Sequence, residues 1–153
     1  MYESNESKID IEDYGGVHTA CVLLKMYFRE LPEPIFPKEM YDLIKQMGTQ
    51  KLDSDKIRFI KTRIFPVFST PVYILVKKIF RLLSRVYEKS TVNKMTSVNI
   101  GIVWTPNLVR SDDAVADFSM CSMTGGSAGT IVKLCIECYD NLFLNVDSPL
   151  GMQ

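Results

Sequence analysis

Two basic side chains, Lys25 and Arg29, lie one helical turn apart in the run LLKMYFRELPEP, residues 23–34. Residues four apart share one face of a helix, where two like charges repel each other by about a few tenths of a kcal/mol. A binding partner that carries negative or carbonyl groups would offset this repulsion. The alternative is an ordinary solvated helix face with Glu30 and Glu33 nearby, which many helices have.

A second polar group follows in residues 93–110, NKMTSVNIGIVWTPNLVR. Pro106 is expected to end a helix there and to fix the turn that follows it. Asn107 would then present an amide group that both donates and accepts hydrogen bonds. Asn99 would lie inside the apolar helix, where a buried amide needs a partner.

The pair Cys135 and Cys138 forms a CxxC motif, which could belong to a metal site. A structural zinc ion needs four ligands, and the remaining candidates, Cys21, Cys121 and His18, include no second compact pair. The motif therefore indicates two small apolar residues on the buried face of a helix, where cysteine is common. We expect no metal ion and no cofactor in this chain.

Two further features could in principle support phosphate binding or catalysis. The glycine cluster of residues 125–129, GGSAG, precedes a helix but lacks the Gly-Lys-Ser/Thr of a P-loop, so it indicates a flexible connection. His18 is the only histidine, and no nucleophile motif accompanies it. The sequence therefore predicts no catalytic residue among these candidates.

The composition is that of one ordinary domain. The 153 residues are 46% hydrophobic and 24% charged, and 18 Lys and Arg balance 18 Asp and Glu. This balance gives no overall field for nucleic acid or a membrane surface, although it leaves room for a local patch. No apolar stretch is long enough to span a bilayer, and the acidic N-terminus does not have the pattern of a signal peptide. We expect a cytoplasmic protein whose four cysteines are reduced thiols.

The segments that must position these residues have helical periodicity. Helices are predicted over residues 17–31, 37–47, 55–65, 71–87, 98–104 and 130–143, and residues 111–129 are predicted to be a loop. The first helix has an apolar stripe of Val17, Ala20, Cys21, Leu24, Phe28 and Leu31. Asp53 or Ser54 and Thr96 are expected to be N-caps, and Gly48, Pro66 and Pro106 are expected to end helices. Residues 99–104 have the composition of a strand, but a lone strand is not stable, so a helix is favoured. The sequence predicts an all-α bundle of about six helices, with a polar lead-in over 1–13, a helical domain over 14–145 and a tail over 146–153.

These segments, in this order, resemble the Rho GTPase-activating domain (RhoGAP) family. LLKMYFRELPEPIFP is similar to a core helix of that family and its proline exit, and NKMTSVNIGIVWTPNLVR to a later helix and its Pro-Asn-Leu turn. IVKLCIECYDNLF is similar to the last helix, and the resemblance covers roughly residues 10–145. It implies an all-α activator that is not itself an enzyme, because the partner GTPase carries the bond-breaking machinery and holds GTP and Mg²⁺.

The resemblance also implies roles for particular residues. Lys25 and Arg29 would belong to the groove that faces a GTP-bound Rho-family small GTPase. Asn107 would contact the partner's nucleotide and switch region, and Asn99 would brace that wall from inside. The family's catalytic arginine finger has a Gly-x-Phe/Tyr-Arg-x-Ser/Pro-Gly setting that none of the six arginines shares. The finger, and with it the family's first helix, is expected to be absent from this chain.

Three functions are compatible with this pattern. The chain is an N-terminally incomplete GTPase-activating domain, a catalytically silent module that binds Rho-class GTPases, or a helical interaction domain with no GTPase partner. An arginine finger accelerates GTP hydrolysis by about 10³–10⁵. The first two functions therefore differ in the rate of hydrolysis that they predict. A missing first helix would also uncover apolar surface. We favour a RhoGAP-type domain in small-GTPase signalling.

Overall fold

Helices account for most of residues 15–110 and 126–144, which are the residues that the computed structural model describes. Their eight α-helices are α1 (Gly16–Arg29), α2 (Tyr41–Gly48), α3 (Asp53–Phe59), α4 (Thr70–Glu88), α5 (Ser90–Asn93), α6 (Ser97–Leu108), α7 (Ser127–Glu137) and α8 (Tyr139–Phe143). A 3-10 turn, Lys38–Met40, leads into α2. Within these ranges the only β-type contact is an isolated bridge between Phe36 and Val109. The predicted all-α fold is confirmed, with two more helices than predicted.

Glycine and proline mark the two ends of α1. Gly15 precedes the helix with φ 92°, a left-handed conformation that favours glycine over every residue with a side chain. The helix ends at Arg29, and the N–H of Glu30 closes the last turn on the carbonyl of Met26 at 2.8 Å. Pro32 and Pro34 follow, and the residue before a proline is disfavoured from helical geometry. The end of α1 therefore lies two residues before the predicted end.

The third helix differs from its prediction at both ends. Leu52 occupies the N-cap position, so neither Asp53 nor Ser54 caps the helix as predicted. The helical path also continues beyond Phe59 as a π-helical turn, Ile60–Ile64, and a 3-10 turn, Phe65–Val67. Pro66 was predicted to stop the helix. It lies instead in the first turn of the 3-10 segment. Proline is tolerated there because the N–H group that it lacks would have no partner inside the helix.

The sixth helix continues through the proline that was predicted to end it. Thr96 caps α6 as predicted, because its Oγ1 accepts a hydrogen bond from the N–H of Asn99 at 3.2 Å. Pro106 then lies inside the helix, and α6 ends two residues later at Leu108. The last turn closes with a bond of 3.0 Å from the N–H of Val109 to the carbonyl of Thr105. A proline inside a helix removes one backbone hydrogen bond, but the turn that follows Pro106 still forms its own hydrogen bond.

The predicted last helix is two helices, α7 and α8, that meet at Cys138. The backbone of Cys138 (φ −110°, ψ 30°) leaves the helical region between them. Helix α7 also begins earlier than predicted, at Ser127. The prediction of a flexible connection is therefore wrong for residues 126–129, where Ala128 and Gly129 are buried in α7. The rest of that predicted loop, residues 111–125, lies outside the described residues.

The core is organised around α7 and the aromatic ring of Phe143. Helix α7 packs against α2, α4 and α6, and it is buried on most of its circumference, as expected for a central helix. The ring of Phe143 stacks on Phe65 and on Tyr139, each at 4.9 Å between ring centres. Gly48 allows the close approach of α2 to α7, because a Cβ there would lie 2.4 Å from the Oγ of Ser127.

The helices of the described ranges are too short or too polar to cross a lipid bilayer. The longest, α4, has 19 residues and carries four basic side chains. Its buried face consists of Val76, Ile79, Phe80, Leu83 and Ser84.

Candidate functional site

The two segments that the sequence analysis selected come together where α1 packs on α6. The ring of Phe28 on α1 is buried and meets the ring of Trp104 on α6 edge-on, with 5.8 Å between ring centres. Lys25 precedes Phe28 by three residues, and Asn107 follows Trp104 by three. Because residues three apart are neighbours on a helix surface, Lys25 and Asn107 flank this aromatic contact. We call this region the α1–α6 corner and define it by Lys25, Phe28, Arg29, Trp104, Asn107 and Arg110.

The guanidinium group of Arg110 joins the end of α6 to the end of α1. Its Nη1 donates to the carbonyl of Arg29, and its Nη2 donates to the carbonyl of Leu31 at 2.6 Å. The last carbonyls of a helix have no partner inside the helix, and a cation there is favoured by the helix dipole. Arg110 therefore completes the C-terminal end of α1 with a side chain that comes from about 80 residues further along the chain.

A second link ties the proline-rich exit of α1 to the same place. The N–H of Phe36 donates to the carbonyl of Leu108 at 2.9 Å, and Phe36 forms the isolated parallel bridge with Val109. Phe36 and Val109 are both buried. The segment of residues 30–36, which follows α1, is thus attached to the end of α6 at two points. Leu31 accepts from Arg110, and Phe36 donates to Leu108. This fixes where Arg29 and Asn107 lie relative to each other.

The two cations of α1 are available for a partner in the described part of the chain. Lys25 is half-buried and Arg29 is exposed, and neither side chain forms a salt bridge or hydrogen bond with a described residue. Glu30 and Glu33, which could have neutralised them, are exposed and form no ion pair with either. The repulsion between the cations is therefore not offset by the neighbouring acids.

Apolar side chains surround these cations at the surface of α1. Leu23 is 58% exposed, Met26 50% and Tyr27 54%. The predicted apolar stripe is only partly in the core, since Phe28 is buried and Leu24 and Leu31 pack against the core, whereas Val17 and Cys21 are exposed. Aromatic residues and methionine beside arginine are typical of protein–protein interfaces. The exposed surface of α1 thus has the composition of an interface.

Asn107 lies in the last turn of α6 and not in a turn after it. Its Nδ2 donates to the carbonyl of Val103 at 2.7 Å, so the side chain folds back along its own helix. The prediction of an amide presented by a proline turn is therefore wrong in its backbone setting. The Oδ1 atom accepts no hydrogen bond from a described residue, and Asn107 is half-buried. This oxygen and the second N–H of the amide can still bind a partner.

Asn99 lies in the first turn of α6, as predicted, but its side chain is exposed, so the prediction that it braces the wall from inside is wrong. Its Nδ2 donates to the carbonyl of Lys94 at 3.0 Å, and Lys94 has a left-handed backbone with φ 60°. Asn99 therefore holds the turn that precedes α6. It is eight residues from Asn107, which is about 12 Å along a helix axis, so the structure does not bring it to the corner.

The remaining candidates have structural surroundings. Cys135 is fully buried, and burial raises the pKa of its thiol far above the usual range. Burial also raises the pKa of Cys138, which is half-buried. The residues described include no group of three potential metal ligands, and Cys121 lies outside them. His18 is exposed on α1. The reading of Cys135 as a buried core residue is confirmed.

The role of Arg110 is not predicted from the sequence, although Arg110 is the last residue of the segment 93–110. A cation just after a helix is a weak signal, because it is common on solvated surfaces. Its actual partners are the carbonyl of Arg29, at the end of α1, and the carbonyl of Leu31 just beyond it, 81 and 79 residues earlier in the chain. No local pattern predicts a contact over that separation.

Comparison with known proteins agrees with this architecture. The family model of the RhoGAP domain matches residues 1–113. Rho GTPase-activating protein gacY of Dictyostelium discoideum is 39% identical over 146 residues, covering 88% of this chain and 18% of the relative. Rho GTPase-activating protein 15 of Gallus gallus is 28% identical over 142 residues, covering 92% of this chain and 29% of the relative. The chain thus spans less than a third of the length of these relatives.

Solved structures give the same fold. The crystal structure of human Rho GTPase activating protein 15 matches with a TM-score of 0.75 and 25% identity, over 90% of this chain and 64% of that one. The BH domain from Graf, the GTPase regulator associated with focal adhesion kinase, has a TM-score of 0.77 and 20% identity, over 94% and 74%. This second likeness concerns the fold alone. The match of residues 1–113 to the RhoGAP family model, together with the all-α bundle, defines the class of this protein. The chain belongs to the RhoGAP family.

Proposed function

We propose that this chain is a GTPase-activating domain that binds GTP-loaded Rho-family small GTPases in the cytoplasm and stimulates their GTP hydrolysis. The observation that carries the proposal is the α1–α6 corner, where Lys25 and Arg29 have no partner among the described residues and Asn107 lies on the adjoining helix. A surface of unpaired cations, exposed apolar side chains and an amide suits a protein that presents carboxylate, carbonyl and phosphate groups.

The proposed roles follow from what each side chain can donate. Arg29 is exposed and offers a planar set of donors, which suits bidentate binding of a carboxylate or phosphate. Lys25 acts as a point charge at the half-buried edge of the same surface. Asn107 offers its Oδ1 and one N–H to the partner. Asn99 acts indirectly, because it holds the turn at the start of α6. GTP and Mg²⁺ belong to the partner, and this chain supplies no bond-breaking group of its own.

A second candidate function is binding without stimulation. No arginine precedes Arg29 in the sequence, and none of the six has the setting of the family's arginine finger. A finger neutralises charge on the transferred phosphoryl group and is worth about 10³–10⁵ in rate. The corner alone would stimulate only weakly, by ordering the partner's switch loops and its water-positioning glutamine.

A binding experiment tests the corner. The chain is titrated against a Rho-class GTPase loaded with a non-hydrolysable GTP analogue, and Lys25→Ala with Arg29→Ala is expected to weaken binding at least about 10-fold. The matched control is Lys45→Ala with Lys51→Ala, which removes two exposed lysines from other elements and is expected to leave binding unchanged. Equal affinity of the corner variant and the unmodified chain, with both folded by circular dichroism, would refute the site.

A kinetic experiment separates the two candidate functions. GTP hydrolysis by the same GTPase is followed in a single turnover, with the chain alone and with a finger-bearing segment joined to its N-terminus. Acceleration beyond about tenfold by the chain alone supports the activator, since loss of a finger forfeits far more than this. Binding without acceleration, with acceleration restored by the added segment, supports a silent module.

A further inference from the structure

The outer face of α4 carries an exposed row of basic and aliphatic side chains. The α4 outer face consists of Ile74, Lys78, Leu82, Arg85 and Lys89, the last at the C-cap position. At 3.6 residues per turn these five positions fall within about 80° of the helix circumference. All five side chains are exposed, and the buried face of the helix lies on the opposite side. The row is about 22 Å long, from the rise per residue.

The cations of this face have no counter-ions in the described part of the chain. The side chains of Lys78, Arg85 and Lys89 form no salt bridge or hydrogen bond with a described residue, and Glu88 is the only acidic residue of α4. Arg81 differs, because it lies 3.6 Å from Asp140 and 5.2 Å from the ring centre of Tyr139. Arg81 is thus engaged within the fold and is not part of the face.

The charges of the whole chain are unevenly distributed. Residues 15–110 and 126–144 contain 17 Lys and Arg but only 9 Asp and Glu, which gives them a formal net charge of +8. The described residues are therefore basic in sum, although the whole sequence is neutral. An anionic surface that approaches α4 meets the three cations of the row, Lys78, Arg85 and Lys89.

We propose that the α4 outer face docks the protein on a membrane surface that contains anionic lipids. Basic side chains near such a surface each contribute attraction, and aliphatic side chains between them insert at the boundary of headgroups and acyl chains. Ile74 is 50% exposed and Leu82 45%. Leu82 lies between Lys78 and Arg85, and Ile74 lies at the N-terminal end of the row. The long side chains of Lys78, Arg85 and Lys89 can extend to the phosphate level while their methylene groups contact apolar surface.

This pattern favours lipid over the other polyanions. A surface that binds single-stranded nucleic acid usually adds aromatic side chains for base stacking, and the row has none. An acidic peptide would be expected in a groove, whereas the row is the convex side of one helix. The proposal does not depend on GTPase binding, since no residue of the α1–α6 corner lies on α4.

Vesicle sedimentation tests the proposal with the full chain. Vesicles of phosphatidylcholine containing about 30% phosphatidylserine are expected to bind the protein in 0.1 M salt, and vesicles of phosphatidylcholine alone are not. Lys78→Ala with Arg85→Ala and Lys89→Ala is expected to weaken binding about 100-fold, because each basic residue near the surface contributes about fivefold. Leu82→Ala is expected to weaken it a few-fold.

The matched control removes three exposed lysines from elsewhere, Lys38→Ala with Lys45→Ala and Lys51→Ala. It changes the net charge equally, so retained binding by this control supports a local face. An equal loss of vesicle binding in both triple variants overturns the proposal, because the attraction would then come from exposed basic residues in general. Equally strong binding to neutral and to anionic vesicles also overturns it. Binding of the protein to single-stranded nucleic acid or to an acidic peptide, without binding to anionic vesicles, overturns it as well. Each variant is first checked for native helix content by circular dichroism.

Discussion

The α1–α6 corner and the α4 outer face both expose cations that have no partner among the described residues, but they are built differently. The corner combines two stretches of chain that are far apart in the sequence, held together by the Phe28–Trp104 contact, the Arg110 guanidinium and the Phe36 bridge. The α4 outer face comes from one helix and depends on helical spacing alone. A surface made from two cross-linked segments has a fixed shape that can select one partner. A periodic row on one helix offers mainly charge and apolar area.

The largest predicted difference between the two regions is in stability. Phe28→Ala removes a fully buried ring from the corner and is expected to lower the free energy of unfolding by about 3–5 kcal/mol. Leu82→Ala on the α4 outer face removes a half-exposed side chain and is expected to change it by about 0.5 kcal/mol or less. Denaturant unfolding of both variants measures the two values. Similar losses at both positions would mean that the corner is not a packed junction.

The next effect compares Arg110, which donates to two carbonyl groups, with Arg85, which has no partner in the described ranges. Arg110→Met leaves the carbonyls of Arg29 and Leu31 without their charged donor and is expected to cost about 2 kcal/mol, because Arg110 is half-buried and water replaces part of the loss. The matched change Arg85→Met removes a cation with no partner in the described ranges and is expected to stay within about 0.5 kcal/mol.

The same pair of variants also has a binding readout. Arg110→Met is expected to weaken GTPase binding, since Arg110 sets the position of the α1 end, whereas Arg85→Met leaves it unchanged. If Arg110→Met proves as stable as the unmodified chain and binds the GTPase equally well, the guanidinium does not hold the corner together.

The smallest effect distinguishes two buried hydroxyl groups of α6. The Oγ of Ser97, at the start of the helix, donates to Glu137 Oε1 at 2.5 Å, and Ser97→Ala is expected to cost about 1–2 kcal/mol. The Oγ1 of Thr105, at the corner, is buried and has no hydrogen-bond partner within the described part of the structure. Thr105→Val is expected to be neutral or to stabilise by up to about 1 kcal/mol. A loss of stability in Thr105→Val, by thermal unfolding, would indicate a partner for this hydroxyl.

Most helices could be predicted because their signals are local. The apolar period of α4, the cap formed by Thr96 and the stop at Gly48 all depend on residues within a few positions of each other. The errors also have local causes. Pro66 and Pro106 are local signals for a helix end, but each lies where one missing N–H does not prevent the next turn from forming. The break at Cys138 leaves no clear trace in the apolar pattern of residues 127–143.

The candidate site could be predicted only in part. Lys25, Arg29 and Asn107 were selected from spacing and family resemblance, and the structure brings their helices together through Phe28 and Trp104. The position of Asn99 was predicted wrongly, because an asparagine among apolar residues can lie on either face of the first turn of a helix. The exposed row of α4 was not recognised, although its spacing is visible, since exposure depends on which face the neighbouring helices cover.

By itself the sequence determined the helical class, the family and the spacing of Lys25 and Arg29 on one helix face. It also determined the uneven distribution of charge, since residues 15–110 and 126–144 contain 17 of the 18 basic residues but only 9 of the 18 acidic ones. Only the tertiary structure decided that Arg110 closes the end of α1, that Asn107 folds back on Val103 and that one side of α4 stays uncovered. The physical reason is range: periodicity, caps and prolines act over a few residues, whereas these features depend on packing between segments far apart in the chain.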